Sequence, residues 1–524
     1  MNVGFVNVYP YRPHGHHAQY LAKMCVELGW QTHALVCDGS PQTCYVRELK
    51  GSGKTECVKC RLGSLHTFDF DSVESIARYH NSIALPANEN DYGYLVESSA
   101  YTLTRIESWE QRQSSVVDDM KKKLLPGALM FYYATVEWIN EKRIDRVIAF
   151  NGRMDLTRAV VEACSTCGID YVTHERPLYG HGIILNKNAN CSSLRNIHEI
   201  NKVYANRPLT ESQSQIAAKL VAERFIGGNP LEWKRYNANA SDISVWPVSG
   251  GQRKVLVCPS SKNELLGHSD WETEWKNNTD ALDIAVESGW FDYSDLLIRF
   301  HPSWAVKFGD ISANLCESHY MSWCEKYSVS YVESRSTVNT RDLIRLSDVV
   351  VLNGSTTIFE AAGCGKPVIC LGSSTFSYSG ASVDIRSVED FARHDYEHIV
   401  SCEPHSQIRQ AIRYMYSKAA REPLFAEYVR SKTITECDFY SGADPHTLET
   451  VVAGSEMIVS DSGFANDTTH EDSVINLLHE GDIESLTTLS SHVWRSAQEN
   501  KMKIMRRYPY NFVDTVRSLS PKGV

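Results

Sequence analysis

Two short apolar runs, each ending in a polar motif, constrain the fold of this chain most. Leu296-Leu297-Ile298 runs into Arg299-Phe300-His301-Pro302, and Val349-Val350-Val351-Leu352 runs into Asn353-Gly354-Ser355-Thr356-Thr357. A third run, Val368-Ile369-Cys370-Leu371, follows Ile358-Phe359-Glu360-Ala361-Ala362-Gly363 and Lys366-Pro367. Runs this short, bounded by turn formers, read as strands buried on both faces of a parallel sheet. The binding groups of such a sheet lie in the loops after the strand C-termini. Both polar motifs fall there.

The second motif has a mechanical reading. Gly354 permits a tight turn, and Ser355, Thr356 or Thr357 can cap the helix that follows. A helix start offers free N–H groups and a positive dipole end, which together hold phosphate. Glu360 follows about one turn later, within reach of a ribose. His301 can donate to the same phosphate from the neighbouring strand end. The alternative is a capped helix packed on a sheet beside a turn histidine. Two such motifs at neighbouring strand ends favour a nucleotide site.

These residues carry a family resemblance. The stretch from Arg299-Phe300-His301-Pro302 to Asn353-Gly354-Ser355-Thr356-Thr357-Ile358-Phe359-Glu360 and Lys366-Pro367-Val368-Ile369 resembles the donor half of GT-B glycosyltransferases. The nearest likeness is to capsule and surface-polysaccharide biosynthesis proteins. A His-Pro motif followed by a Ser/Thr cluster also resembles bacterial sialyltransferases, Kdo transferases and teichoic-acid polymerases. The resemblance spans 255–371 and fades elsewhere. It implies an α/β fold of two Rossmann-like domains with parallel sheets facing a central cleft. It also implies a nucleotide-sugar donor held by Arg299, His301, Pro302, Asn353, Gly354, Ser355, Thr356, Thr357 and Glu360. A CMP-activated acidic sugar is favoured, with a UDP- or GDP-sugar close behind. Catalysis would use no metal cofactor, because His301 and the helix start neutralise the leaving phosphate.

At 524 residues the chain is long enough for two domains. The expected division is 1–226 on the acceptor side, with an insertion at 38–125; 227–252 as linker; 253–440 for the nucleotide sugar; and 441–524 as a helical extension. A net charge of -11 argues against nucleic acid as the main partner. No apolar stretch reaches the length of a membrane span. The N-terminus reads as a strand and not as a signal peptide. Fifteen cysteines without an export signal suggest reduced thiols and a cytoplasmic setting. The tail residues Lys501, Lys503, Arg506 and Arg507 suit either a solvated face or peripheral contact with a membrane.

The N-terminal half opens with a strand, then Tyr9-Pro10-Tyr11-Arg12-Pro13-His14-Gly15-His16-His17, a helix over 18–28, and a second strand. This is a Rossmann-like opening without the dinucleotide fingerprint. His14, Gly15 and His16 are acceptor-side candidates; the alternative is a polar loop with incidental histidines. Cys37, Cys44, Cys57 and Cys60 fall within 24 residues and end in Cys-x-x-Cys. They can close a structural zinc site, with free thiols as the alternative. Helices are expected at 101–109, 114–125 and 129–140.

Two further strands end in Asn151-Gly152-Arg153-Met154-Asp155 and His174-Glu175-Arg176-Pro177. A hydroxyl acceptor needs a base at hydrogen-bond distance. Glu175 is the first choice and Asp155 the second. Arg153 and Arg176 can clamp a carboxylate or phosphate bidentately. The alternative is a structural Glu175–Arg176 ion pair. In the second half, Ser260 and Lys262 lie in the first loop, placed to touch donor. The loop 333–337 is placed to meet the nucleobase. Helices are expected near 406–433, 474–480 and 483–500.

The reading is a glycosyltransferase acting on a hydroxyl of a glycan or lipid-linked saccharide. Its competitors are a sugar-nucleotide epimerase or hydrolase on the same fold, and a non-catalytic glycan-assembly scaffold.

Overall fold

The computed structural model describes residues 1–9, 11–80, 89–232, 240–306, 314–454, 463–489, 500–512 and 514. Its first half builds a seven-stranded sheet. Strands β1 (Asn2–Val6), β2 (Gln31–Val36), β3 (Ser72–Ser75), β4 (Arg146–Phe150) and β5 (Tyr171–Glu175) are parallel, in spatial order 3-2-1-4-5. β6 (Ile183–Lys187) folds back antiparallel to β5.

The second half builds an all-parallel sheet. Strands β7 (Val255–Cys258), β8 (Leu296–Arg299), β9 (Ser330–Val332), β10 (Val349–Leu352), β11 (Val368–Leu371) and β12 (Val383–Ile385) lie in order 12-11-10-7-8-9. β7, β8, β10 and β11 are buried along their whole length, as their unbroken apolar composition requires. Each sheet changes winding direction next to its first strand, which places the loops after β1 and β4, and after β7 and β10, at the two switch points.

Packing draws different boundaries from those expected. The helices Arg195–Tyr204 and Glu211–Phe225 bury Ile197, Ile200, Ala217 and Val221 in the same core as Leu256, Leu297 and Val350 of the second sheet. The chain therefore changes core before residue 226. It changes back after the helix Pro404–Tyr416: β13 (Pro423–Leu424) pairs with β6, and Phe425, Val429 and Val452 pack with Val3 and Phe5. β14 (Val429–Ser431), β15 (Cys437–Tyr440) and β16 (Lys501–Met502) form a small sheet on the first domain. The helix Thr469–Glu480 returns to the second core, where Arg413 holds the fully buried Glu471 at 2.8 Å. The described residues of 441–524 thus pack on both domains, with the helix Pro445–Val452 before 468 and the helices Thr469–Glu480 and Ile483–Thr488 after it.

Other expectations change in detail. The first helix runs His14–Glu27, so His14, Gly15 and His16 form its first turn instead of a loop. The helices expected at 114–125 and 129–140 are one helix, Ser115–Lys142, which continues through Pro126. At Gly127 a Cβ would lie 2.8 Å from the Thr43 carbonyl, so close packing fixes this turn. The helix expected at 101–109 is Glu97–Thr104. The last expected helix is Ile483–Thr488, and 490–499 lie outside the described residues.

Candidate functional site

The seam between the domains holds a cavity of about 390 Å³, a size suited to a small ligand. One wall is made by strand ends of the second sheet: Cys258 and Pro259 after β7, Arg299, His301 and Pro302 at β8, and Ser355, Thr356, Thr357 and Glu360 after β10. The facing wall is Leu178, Tyr179, Arg224 and Glu232.

His301 sits in a short turn before Trp304. Its Nδ1 accepts the Ser303 N–H at 3.1 Å and lies 2.6 Å from the Ser303 hydroxyl. These partners place the proton of the neutral ring on Nε2. Burial, with Arg299 and Arg105 nearby, lowers its pKa to about 4. At neutral pH the ring is an uncharged donor. Trp304 Nε1 donates to Ser261 Oγ at 2.6 Å and locks this turn to the β7 loop.

Gly354 takes φ +98°, and a Cβ there would meet the Trp271 ring at 3.0 Å, so only glycine fits without strain. The helix beyond it is Ile358–Gly363, six residues long, and Thr357 makes no side-chain cap. Ser355 takes the capping task one step earlier: its Oγ accepts the Thr357 N–H at 3.3 Å and donates to Thr357 Oγ1 at 2.9 Å. So short a helix adds little dipole, and the polar edge consists of hydroxyls and turn N–H groups.

Glu360 gives Oε1 to Arg224 at 2.7 Å, while Oε2 is buried with no hydrogen-bond partner among the described residues. Arg224 also donates to Tyr179 Oη at 2.6 Å and Glu232 at 2.9 Å. Burial alone would lower the Arg224 pKa, but Glu360, Tyr179 and Glu232 carry it above its ordinary value. Arg341 also lines the cavity and stacks on Phe225 at 4.5 Å.

Several expected donor contacts do other work. Asn353 Oδ1 accepts the Ser260 N–H at 2.7 Å and Nδ2 donates to the Ser260 carbonyl at 3.3 Å, clamping two strand-end loops together. Arg299 spends its guanidinium on the Glu333 carbonyl, the Ser336 carbonyl at 3.1 Å and Thr340 Oγ1 at 3.4 Å. It braces the loop expected to meet a nucleobase. Lys262 turns away: its Nζ donates to the Lys276 carbonyl at 3.1 Å, in a separate cavity that Trp271 and Trp275 also line.

On the first domain, Glu175 lies at the end of β5. Its Oε1 accepts the Arg176 N–H at 3.0 Å and faces His14 Nε2 at 3.2 Å; Asn151 Nδ2 donates to Oε2 at 3.3 Å. Burial raises its pKa above the usual carboxylate range. Arg176 does not pair with that carboxylate through its guanidinium, which donates to the Pro177 and Leu231 carbonyls at 3.2 and 3.3 Å. Arg153 crosses the seam and donates to the Glu264 carbonyl at 2.8 Å.

Asp155 is displaced from its expected place as a second base. It is fully buried, with one oxygen bonded to Tyr9 Oη and the other accepting the Tyr45 N–H at 2.8 Å. Its pKa rises to about 6 through burial. His16 points to another small cavity beside Arg12 and Arg506, and Gly15 lines it too. No three of Cys37, Cys44, Cys57 and Cys60 bring their sulfur atoms within 4.8 Å of one another. All four are free thiols, and the group with three or more ligand atoms within 4.8 Å among the described residues is His14, His17 and His174.

Arg224, Tyr179, Glu232 and Arg341 are site residues that sequence reasoning missed. The one signal was the Gly227-Gly228 break just after Arg224, which marks a helix end beside the linker.

The fold defines a class: two Rossmann-like domains of GT-B type, with the cavity at their seam. Over residues 261–417 the chain matches the family model described as capsule polysaccharide biosynthesis protein, and over that segment it resembles those proteins. No curated protein sequence matches the chain. Among solved structures it is similar to the beta Kdo 2,4 transferase KpsC of Thermosulfurimonas dismutans: 12% identity, 58% of this chain, 83% of that one, TM-score 0.31. It is also similar to a putative UDP-N-acetylglucosamine 2-epimerase of Listeria monocytogenes: 12% identity, 78% and 91%, TM-score 0.24. The glycosyltransferase SnogD of Streptomyces nogalater gives 10% identity, 81% and 96%, TM-score 0.22. Overlaps this low leave the fold to rest on the strand order itself. No described helix is long and apolar enough to cross a membrane.

Proposed function

We propose that the protein is a glycosyltransferase that takes a nucleotide-activated sugar in the seam cavity and passes it to a hydroxyl of a surface glycan. One observation carries this reading. His301, the Ser355–Thr357 turn and Glu360, whose Oε2 has no hydrogen-bond partner among the described residues, come from two strand ends and line one cavity. His301 Nε2–H and the turn donors hold the leaving phosphate, and Glu360 accepts from the ribose. The acceptor approaches along the first-domain strand ends, where Glu175 is the base. Burial raises its pKa, which makes the carboxylate a stronger proton acceptor than an exposed one.

In the transfer, the acceptor oxygen bonds to the anomeric carbon as the bond to the phosphate oxygen breaks. The hydroxyl proton goes to Glu175, and the charge left on the phosphate meets preorganised donors. No metal is needed at that phosphate. A CMP-linked acidic sugar is the favoured donor, ahead of UDP- and GDP-sugars. A lipid-linked saccharide meeting the protein at the cytoplasmic membrane surface is a suitable acceptor. Of the basic tail, Lys501 and Arg507 face Asp438 and Asp69 at 2.9 Å, and Arg506 pairs with Asp514. That leaves Lys503 for a membrane surface.

The test is calorimetric titration with CMP, CDP, UDP and GDP. Binding of at least one, abolished in His301→Ala, is expected, and addition of Mg²⁺ should not change it. Full binding in that variant removes His301 from the site. Donor turnover without any acceptor would replace transfer by epimerisation or hydrolysis. Lack of binding by all four nucleotides would favour a scaffold.

A further inference from the structure

Three histidines converge beneath the first sheet's switch point. His14 and His17 stand one turn apart on the same face of the helix His14–Glu27, and His174 comes from β5. The ring centroids lie 5.8 Å (His14 to His17), 5.9 Å (His14 to His174) and 6.5 Å (His17 to His174) apart. One ligand atom from each ring lies within 4.8 Å of the others. All three side chains are buried, at 4%, 0% and 1% exposure.

Each imidazole brings both a donor and an acceptor, or two donors, and burial makes both matter. Yet His14 Nδ1, His17 Nδ1 and both nitrogens of His174 have no hydrogen-bond partner among the described residues. Four orphaned ring nitrogens in one buried cluster are an unusual cost for a core without compensation. The outer side is prepared: Glu175 Oε1 sits 3.2 Å from His14 Nε2, and Asn151 holds its other oxygen at 3.3 Å. A metal-bound histidine typically gives its second N–H to such a carboxylate, which fixes the tautomer. That arrangement leaves the His14 Nδ1 lone pair available as a ligand. On the far side, Cys437 Sγ lies 3.7 Å from His17 Nε2.

We propose that His14, His17 and His174 form a binding site for one borderline divalent transition-metal ion, with Zn²⁺ as its natural probe. Imidazole nitrogen suits this class of ion over Mg²⁺ or Ca²⁺. Bonds of about 2.1 Å in a tetrahedron set nitrogen atoms roughly 3.4 Å apart, so the rings need only close slightly on the ion. Glu175 backs His14 and Cys437 lies beside His17, so the two flank the trio. The site ties the first helix to β5 and fixes the Glu175 carboxylate from behind. It is separate from the donor cavity and does not depend on the nucleotide reading.

The test uses the full chain, purified without a polyhistidine tag. Elemental analysis, and equilibrium dialysis of chelator-treated protein against Zn²⁺, should each give about one ion per chain. Co²⁺ loading should produce the visible d–d bands of a tetrahedral nitrogen-rich site. His17→Ala and His174→Gln should each lose the ion, and the Cys57→Ser/Cys60→Ser double variant should keep it. Wild-type protein that takes up neither Zn²⁺ nor Co²⁺ overturns the proposal and makes the cluster a hydrated polar pocket. Loss of the ion in the cysteine variant, with retention in the histidine variants, moves the metal to the thiols and overturns it as well. Wild-type uptake is read directly, so a variant that fails to fold does not blur the result, and nucleotide binding does not enter it.

Discussion

The two sheets share the order 3-2-1-4-5 and treat their strand ends in opposite ways. In the second sheet the polar groups are fixed by short neutral contacts: Asn353 with Ser260, His301 with Ser303, Ser355 with Thr357. In the first sheet they are ionisable and sunk in the core: Asp155 with a pKa raised to about 6, Glu175 also raised, and His14 lowered to about 3, in each case chiefly by burial. A set of fixed neutral donors suits a ligand whose negative charge is permanent, because nothing has to reorganise when charge develops. Buried ionisable groups whose proton affinities are displaced suit proton transfer or metal ligation. One topology can therefore carry strand ends suited to two different chemistries, according to the residues at the switch points.

The largest expected effect lies where the two meet. Arg224 joins Glu360 and Glu232 inside the seam. Arg224→Met removes the cation that these two largely buried carboxylates share. Removing one partner of a buried pair costs about 3–5 kcal/mol. Chemical denaturation should show a loss of that size. Glu360→Gln in the same background should recover part of it, since one of the two stranded charges is gone. A loss below 1 kcal/mol in Arg224→Met would mean that solvent reaches the network, and that the seam is looser than the second-sheet contacts around it.

Opposite pH slopes give the next test. The folded pKa of His301 is lowered from 6.5 to about 4. Its contribution is complete above pH 6.5 and is lost as pH falls through about 4, because the unfolded chain takes up the proton first. Wild type should therefore lose on the order of 2–3 kcal/mol relative to His301→Gln across that window. For Asp155 the folded pKa is raised from 3.8 to about 6. Its contribution is complete below pH 3.8 and is lost as pH rises through about 6. Wild type should gain a similar amount over Asp155→Asn as pH falls from 6 to 3.8. Denaturation of the two variant pairs at several pH values reads both slopes. Slopes of the same sign would erase the distinction between the domains.

The second sheet was largely legible from sequence because its strands are buried on both faces, so β7, β8, β10 and β11 are uninterrupted apolar runs. The motifs at their ends were legible for the same reason, since nothing else polar breaks those runs. Arg224 was not legible: its partner Glu360 is 136 residues away, and only tertiary packing unites them. His17 was missed because the helix start lacks a Ser, Thr, Asp or Asn cap, so the first turn read as loop. Pro126 split one helix into two for the opposite reason, since a breaker in sequence is tolerated where packing holds the turn. The small sheet β14–β15–β16 uses strands of two to four residues, too short to carry a period.

A smaller effect separates the clamp from the ligand contacts within the second sheet. Asn353→Ala removes the acceptor of the Ser260 N–H and leaves that donor partly buried. The cost should be about 1–3 kcal/mol in stability. Nucleotide affinity should fall as well, because the β7 and β10 loops lose their common anchor. Ser260→Ala keeps the backbone donor and should change either quantity by less than about 1 kcal/mol. If the two variants weaken binding equally without loss of stability, Asn353 touches the ligand directly.

The smallest effect belongs to the basic tail, where the comparison between domains ceases to matter. Arg507 pairs with Asp69 at 2.9 Å, but the carboxylate is 78% exposed and the guanidinium 41%. An exposed pair of this kind contributes about 0–1 kcal/mol, and salt screens most of that. Arg507→Ala should therefore shift the denaturation midpoint barely, and not at all at high ionic strength. Arg506 differs, although it is next in sequence. It is 7% exposed and donates to the Leu62 carbonyl as well as to Asp514. Its substitution by alanine strands a carbonyl and a carboxylate together and should cost more than its neighbour's by about 1–3 kcal/mol. Equal effects at the two positions would mean that the tail lies on the surface of the first domain without being built into it.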